Sequence, residues 1–285
     1  MLNLFGTGVA LVTPMNEDHS IDFLGLEKLI NHVISEGADY LVVQGTTGES
    51  ATMTKEEKKQ VLNACLKINS GRLPIVYGLG GNNTYGVLEE IESTDFSGID
   101  AILSVCPYYN KPSQAGIVAH YTTIADASPV PVILYNVPGR TVTNMTANTT
   151  LTLANHPNII AMKEASGNLE QCMNIAANMP SDFMLISGDD MMTTALRALG
   201  GSGVISVLAN AYPAIFKTIC HGDIEASKKA TFKLLSLNPL MYEESNPVGL
   251  KYLLKELGIC QDAVRLPLVE ASDDLREKIK ATMVQ

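Results

Sequence analysis

The feature that most constrains this chain is an alternation that runs from its start to about residue 222. Short apolar runs rich in β-branched residues are each followed by a longer segment of helical periodicity. The runs cover residues 8–13, 40–43, 74–77, 101–105, 132–135, 159–162, 183–186 and 204–207. They are almost continuously apolar, as strands buried on both faces of a parallel sheet require. Helix starts lie between them. Asp22 precedes a stripe of Leu24, Leu26, Leu29, Ile30, Val33 and Ile34, and Thr54 with Glu57 makes a capping box ahead of Val61, Leu62, Cys65 and Leu66. Ser113, Asn168, Asp190 and Pro213 open further helices. Eight such units, spaced by about 25–30 residues, predict an α/β fold, a (β/α)8 TIM barrel over residues 1–222. A doubly wound open sheet is the competing topology, because local pattern does not show closure; the unit count favours the barrel. From Asp223 onward the pattern is purely helical, so residues 223–285 are expected to form a C-terminal helical extension.

In such a barrel, chemistry collects at the carboxyl ends of the strands. The groups found there are Gly45-Thr46-Thr47-Gly48-Glu49, Pro107-Tyr108-Tyr109-Asn110, Tyr135-Asn136-Val137-Pro138-Gly139-Arg140, Lys163-Glu164-Ala165 and Ser187-Gly188-Asp189-Asp190. Lys163 ends the sixth apolar run. A partly desolvated ammonium gives up its proton more readily, and a neutral amine attacks carbonyls to form a Schiff base. The bland reading is a lysine that snorkels to solvent or pairs with Glu164. Tyr135, one strand away, is placed to shuttle protons, or is simply an amphipathic core aromatic. Thr46 and Thr47 offer hydroxyls and backbone N–H groups to a carboxylate, or form a turn. Arg140 suits bidentate carboxylate recognition, although surface arginines are common. Asp189-Asp190 reads as a helix cap rather than a metal site.

Composition narrows the function classes. With 20 Lys+Arg against 30 Asp+Glu and no basic stripe, the chain is a poor candidate for binding nucleic acid or an anionic membrane. No apolar run approaches the ~18 residues of a membrane span, and no signal peptide is evident, so a cytoplasmic protein is expected. Cys65, Cys106, Cys172, Cys220 and Cys260 are scattered, without a Cys-x-x-Cys motif, and read as reduced buried thiols. The five histidines show no metal-ligand spacing, so no metal is expected. The glycine run at residues 200–203 precedes the eighth strand and therefore sits at the wrong end to cradle a pyridoxal phosphate.

The motifs GTTGES from Gly45, PYYNKP from Pro107, YNVPGR from Tyr135 and KEASG from Lys163 make the chain resemble the pyruvate-dependent class I aldolases and synthases, the family that includes the N-acetylneuraminate lyases. The resemblance runs from about Leu4 to about Val269. It implies that pyruvate forms a Schiff base on Lys163 and that no other cofactor is needed. It also implies that Thr46, Tyr109 and Tyr135 form a proton relay, with Tyr109 reaching in from a neighbouring subunit. Thr47 matches the contact to the pyruvate carboxylate, and Gly188 and Ile205 match backbone positions lining the pocket. Thr46-Thr47 and Arg140 point to the synthase branch, whose aldehyde is L-aspartate 4-semialdehyde and whose Arg140 equivalent holds that substrate's carboxylate. A homotetramer, a dimer of dimers, is implied by the family alone. A related aldolase with another aldehyde and a non-catalytic binding homologue are the alternatives. Synthases inhibited by lysine carry histidines and a glutamate where this chain has Lys55, Lys58 and Gly86, while Asn82 and Tyr108 are kept. Weak or absent feedback by lysine is therefore expected.

Overall fold

The computed structural model describes residues 2–284. Its eight strands are β1 (Gly6–Ala10), β2 (Tyr40–Val43), β3 (Ile75–Gly78), β4 (Ala101–Val105), β5 (Val132–Asn136), β6 (Ile159–Glu164), β7 (Met184–Ser187) and β8 (Gly203–Ser206). They form a closed barrel in chain order, which settles the competition with an open sheet. β2 and β4 coincide with their apolar runs, four strands are shifted or extended by one residue, and β1 and β6 depart further for a common reason: apolarity marks burial, whereas a strand is defined by main-chain pairing. β1 stops at Ala10 because the Val12 N–H donates to the Asn210 side chain at 3.1 Å instead of to a neighbouring strand. β6 continues through Lys163 and Glu164, and pairing persists beyond it: Ala165 N donates to Asn136 O, and Gly188 N donates to Glu164 O at 2.7 Å.

The chain divides into two compact units. One spans Ile75–Ile205 together with the residues up to Phe5. Here β3 to β8 pair successively in parallel, and the helices Gln114–Ala127 and Leu169–Asn178 begin at the predicted caps, Ser113 and Asn168. Asp189 accepts from Met191 N at 2.9 Å and caps the 3₁₀ turn Asp190–Met192, not the helix expected to open at Asp190; helix Thr193–Ala198 starts three residues later, with Met192 at its N-cap and no side-chain cap.

The other unit comprises Gly6–Pro74 and Ser206–Gln285. β1 and β2 pair in parallel, followed by helices Phe23–Ser35, capped by Asp22, and Lys55–Asn69, which carries the Thr54–Glu57 capping box. Beyond helix Pro213–His221 come the helices Ile224–Phe232, Val248–Glu256 and Asp273–Thr282. Helix Val248–Glu256 is buried continuously from Val248 to Leu254, including Lys251. Four cysteines are buried; Cys260 is half-buried, which corrects its reading as a buried thiol. Among the described residues, no helix is long and apolar enough to cross a membrane.

Candidate active site

Register builds the first part of the site. Tyr135 on β5 lies across from Lys163 on β6, and Asn136 lies across from Glu164. Successive side chains on a strand point to opposite faces. Glu164 accepts from Gln171, on helix Leu169–Asn178, so it faces the helix layer. Lys163 and Tyr135 therefore share the opposite face, the barrel interior. The Lys163 Nζ sits 4.4 Å from the centroid of the Tyr135 ring, within cation–π range. The two residues are 6% and 8% exposed. Neither bland reading of Lys163 survives: the amine does not snorkel out, and its neighbour Glu164 points the other way.

Around this pair the strand ends are pinned by main-chain bonds. Cys106 N donates to Tyr135 O at 2.8 Å, and Lys163 is in register with Ile186 of β7. Gly188 must be glycine, because a Cβ there would lie 2.6 Å from the Ala165 Cβ. Ile205 is buried in β8. Arg140 is exposed on the short helix Pro138–Thr141, after β5. Tyr109, at a left-handed φ of 72°, is 88% exposed and does not join the buried pair of its own chain.

The second unit carries the threonines. Thr46 opens a single 3₁₀ turn, Thr46–Gly48, directly after β2 and is exposed; Thr47 is buried. The Thr47 hydroxyl accepts from Asn246 Nδ2 at 3.0 Å. Glu49, at a left-handed φ of 55°, forms a fully buried ion pair with Lys251 at 2.5 Å, and also accepts from Arg265 N at 3.0 Å. Lys251 donates to Ala263 O at 2.7 Å. Burial pushes the Lys251 ammonium below its ordinary pKa, and the Glu49 carboxylate opposes that shift. The Arg265 guanidinium grips both oxygens of Glu57 and holds its carboxyl down to about 2. The loop after β2 is thus clamped by the C-terminal extension.

Burial pushes the Cys106 thiol up to about 12, which suits a core thiol and not a nucleophile. Among the described residues, no cluster of His, Cys, Asp and Glu could hold a metal ion. Gln171, Asn246 and Lys251 are not singled out by the sequence; Asn136 is named there only as a strand-end neighbour of Tyr135, and Glu164 only as a partner for Lys163. A charge beside Lys163 at the end of an apolar strand, and a lysine inside an apolar helix, were the available signals.

A closed parallel barrel with a buried lysine facing its interior near the carboxyl end of β6 puts the chain among the (β/α)8-barrel enzymes. More narrowly, the chain belongs to the dihydrodipicolinate synthetase family, whose model it matches over residues 3–285. It is 50% identical to a 4-hydroxy-tetrahydrodipicolinate synthase of Cytophaga hutchinsonii, over 100% of this chain and 97% of that protein. Among solved structures it resembles the chloride-inhibited dihydrodipicolinate synthase of Acinetobacter baumannii complexed with pyruvate, with a TM-score of 0.95, 37% identity and 98% of both chains covered. It also resembles the Cyanidioschyzon merolae enzyme with lysine bound, with a TM-score of 0.94, 37% identity, and 99% and 98% of the two chains covered.

Proposed function

We propose that this chain is a lyase that condenses pyruvate with L-aspartate 4-semialdehyde to give 4-hydroxy-tetrahydrodipicolinate, on the route to diaminopimelate and lysine. The amine of Lys163 attacks the keto carbon of pyruvate, water leaves, and an iminium forms. Loss of a methyl proton gives the enamine, whose carbon attacks the aldehyde of the semialdehyde. The amino group of that product then attacks the imine carbon, which closes the ring and frees Lys163. The iminium formed on Lys163 is the electron sink for the departing methyl proton's bonding pair, so no separate cofactor is required. The observation that carries the reading is the buried Lys163 amine stacked on the Tyr135 ring at 4.4 Å.

Tyr135, Thr46 and Tyr109 pass protons to and from the reacting groups. Thr47 receives the pyruvate carboxylate, with the backbone at Gly188 and Ile205 lining the pocket. Arg140 holds the carboxylate of the semialdehyde. The reading further takes the protein as a cytoplasmic homotetramer, a dimer of dimers, in which Tyr109 serves a neighbouring subunit. Its exposure of 88% supports such a role. Residues 1–222 are read as the barrel and 223–285 as its extension.

Borohydride trapping tests the reading. Pyruvate followed by sodium borohydride should add the mass of a reduced pyruvyl group to Lys163, and turnover should then appear with L-aspartate 4-semialdehyde. An adduct without that turnover would make the chain a pyruvate aldolase for another aldehyde. The absence of any adduct would leave a binding module.

A further inference from the structure

Glu164 is a buried carboxylate, 3% exposed, that takes no part in the reaction above. Its donors are neutral: Ser166 N at 2.6 Å, Gln171 Nε2 at 2.8 Å and Asn136 Nδ2 at 3.0 Å. The network closes on itself. Asn136 Nδ2 also donates to Asn144 Oδ1 at 2.8 Å, Asn144 Nδ2 donates to Gln171 Oε1 at 3.0 Å, and Asn136 Oδ1 accepts from Met145 N at 2.9 Å. Four polar side chains thus interlock on the outer face of the β5–β6 wall, directly behind Tyr135 and Lys163.

A carboxylate in that place is a poor way to gain stability, since burying a charge costs more than burying an apolar side chain of the same shape. What it contributes is geometry. The β5–β6 ladder is irregular between Val132 and Ile133, so main-chain pairing alone does not hold one register along the whole pair. A slip of one residue would turn Lys163 to the other face. The bond between Asn136 and Glu164 forms only in the observed register, in which Tyr135 lies across from Lys163.

We propose that Glu164, together with Asn136 and Gln171, is a positioning group that locks β5 to β6 and thereby sets the geometry of Tyr135 against Lys163. The proposal rests on the Schiff-base reading of Lys163. Its test uses the full chain and three variants: Glu164→Gln, Asn136→Asp and the two combined. Glu164→Gln keeps the shape but turns an amide N–H₂ toward donors; the combination restores a donor–acceptor pair with its polarity reversed. The readouts are the rate of trappable adduct formation at saturating pyruvate per folded molecule, kcat, and the KM for pyruvate. Because misplacement by about 1 Å costs on the order of 100-fold, Glu164→Gln should slow adduct formation by roughly that factor. The pyruvate KM should stay within about threefold, and the combined variant should regain at least about tenfold.

A merely structural role would lower the melting temperature and the folded fraction but leave the rate per folded molecule intact. Adduct formation at the wild-type rate in folded Glu164→Gln, or a combined variant no faster than the single, overturns the proposal. If Glu164→Gln does not fold, Gln171→Met removes the donation to Glu164 together with the acceptor for Asn144, leaves the Asn136–Glu164 bond, and should slow the same step by about 3- to 10-fold; an unchanged rate overturns the proposal equally. A wild-type protein that forms no adduct removes the Schiff-base reading itself, an outcome distinct from an unchanged variant.

Discussion

Lys163 and Tyr135 stand across one rung of the ladder, and the consequences of losing each differ. Lys163→Ala should abolish the trappable adduct and lower turnover by at least about 10³-fold, because no other group supplies the amine. Tyr135→Phe keeps the ring under the ammonium and removes only the hydroxyl, so turnover should fall by about 10²- to 10⁴-fold while some adduct still forms. Mass spectrometry after borohydride treatment and steady-state kinetics separate the two. Lys163 was legible in the sequence because a lysine ending an apolar run stands out. Glu164 was not, because its role depends on donors from β5 and from a helix that sequence spacing does not bring together. His120 is a residue of another kind. It is buried, hydrogen-bonded to Thr84 Oγ1 at 2.8 Å, and burial pushes its imidazole down to about 4. Its folded pKa lies below the ordinary 6.5, so between those values the unfolded chain takes up a proton that the native protein refuses. The His120 contribution to stability should therefore fall as pH drops from 6.5, by up to about 2–3 kcal/mol, and that contribution levels off below 4. Urea titrations across that range should show a shallower dependence for His120→Gln.

At the scale of elements, the clamp between the loop after β2 and helix Val248–Glu256 decides how the threonines are held. Breaking a fully buried ion pair strands one charge, so Lys251→Met should destabilise the protein by about 3–5 kcal/mol. Adding Glu49→Gln removes the stranded charge and keeps an acceptor for Arg265 N, so the double variant should recover most of that loss in urea midpoints. If the single and double variants unfold together, the pair is not the source of the effect. The single variant should also raise the pyruvate KM, because Thr47 is held from the same segment through Asn246. The elements themselves were largely legible: the caps at Asp22, Thr54, Ser113 and Asn168 all form as their residue types require. Lys251 was not. A lysine in a helix ordinarily reads as solvent-facing, and only the Glu49 carboxylate and the Ala263 carbonyl, both distant in local pattern, make its burial tolerable. The first turn of helix Lys55–Asn69, which carries Lys55 and Lys58, gives a further expectation. With those cations in place of histidines, L-lysine titrated into the assay should inhibit weakly or not at all, and strong inhibition at low concentration would refute the family comparison at this point.

For the molecule as a whole, closure of the sheet was the property least accessible to sequence, since each parallel strand reads the same in an open sheet and in a barrel. Closure follows from pairing between strands, not from any one of them. The assembly poses a similar problem, because a single chain leaves Tyr109 88% exposed while Lys163 and Tyr135 are buried. If Tyr109 completes the site of a neighbouring subunit, two defective chains should rescue each other. A Lys163→Ala subunit still offers its Tyr109, and a Tyr109→Phe subunit still has its lysine. In a mixed assembly, the lysine-bearing site receives an intact phenol from its partner and should turn over. Co-expressed, differently tagged subunits, purified through both tags, should therefore be more active than either parent, approaching the activity of half the wild-type sites if pairing is complete. A relay closed within one chain predicts no gain, because the site that has the lysine would then always lack the phenol. The mixed species must first be shown by sedimentation to have the same assembly as the wild type, so that an absence of rescue reports on the phenol and not on failed association.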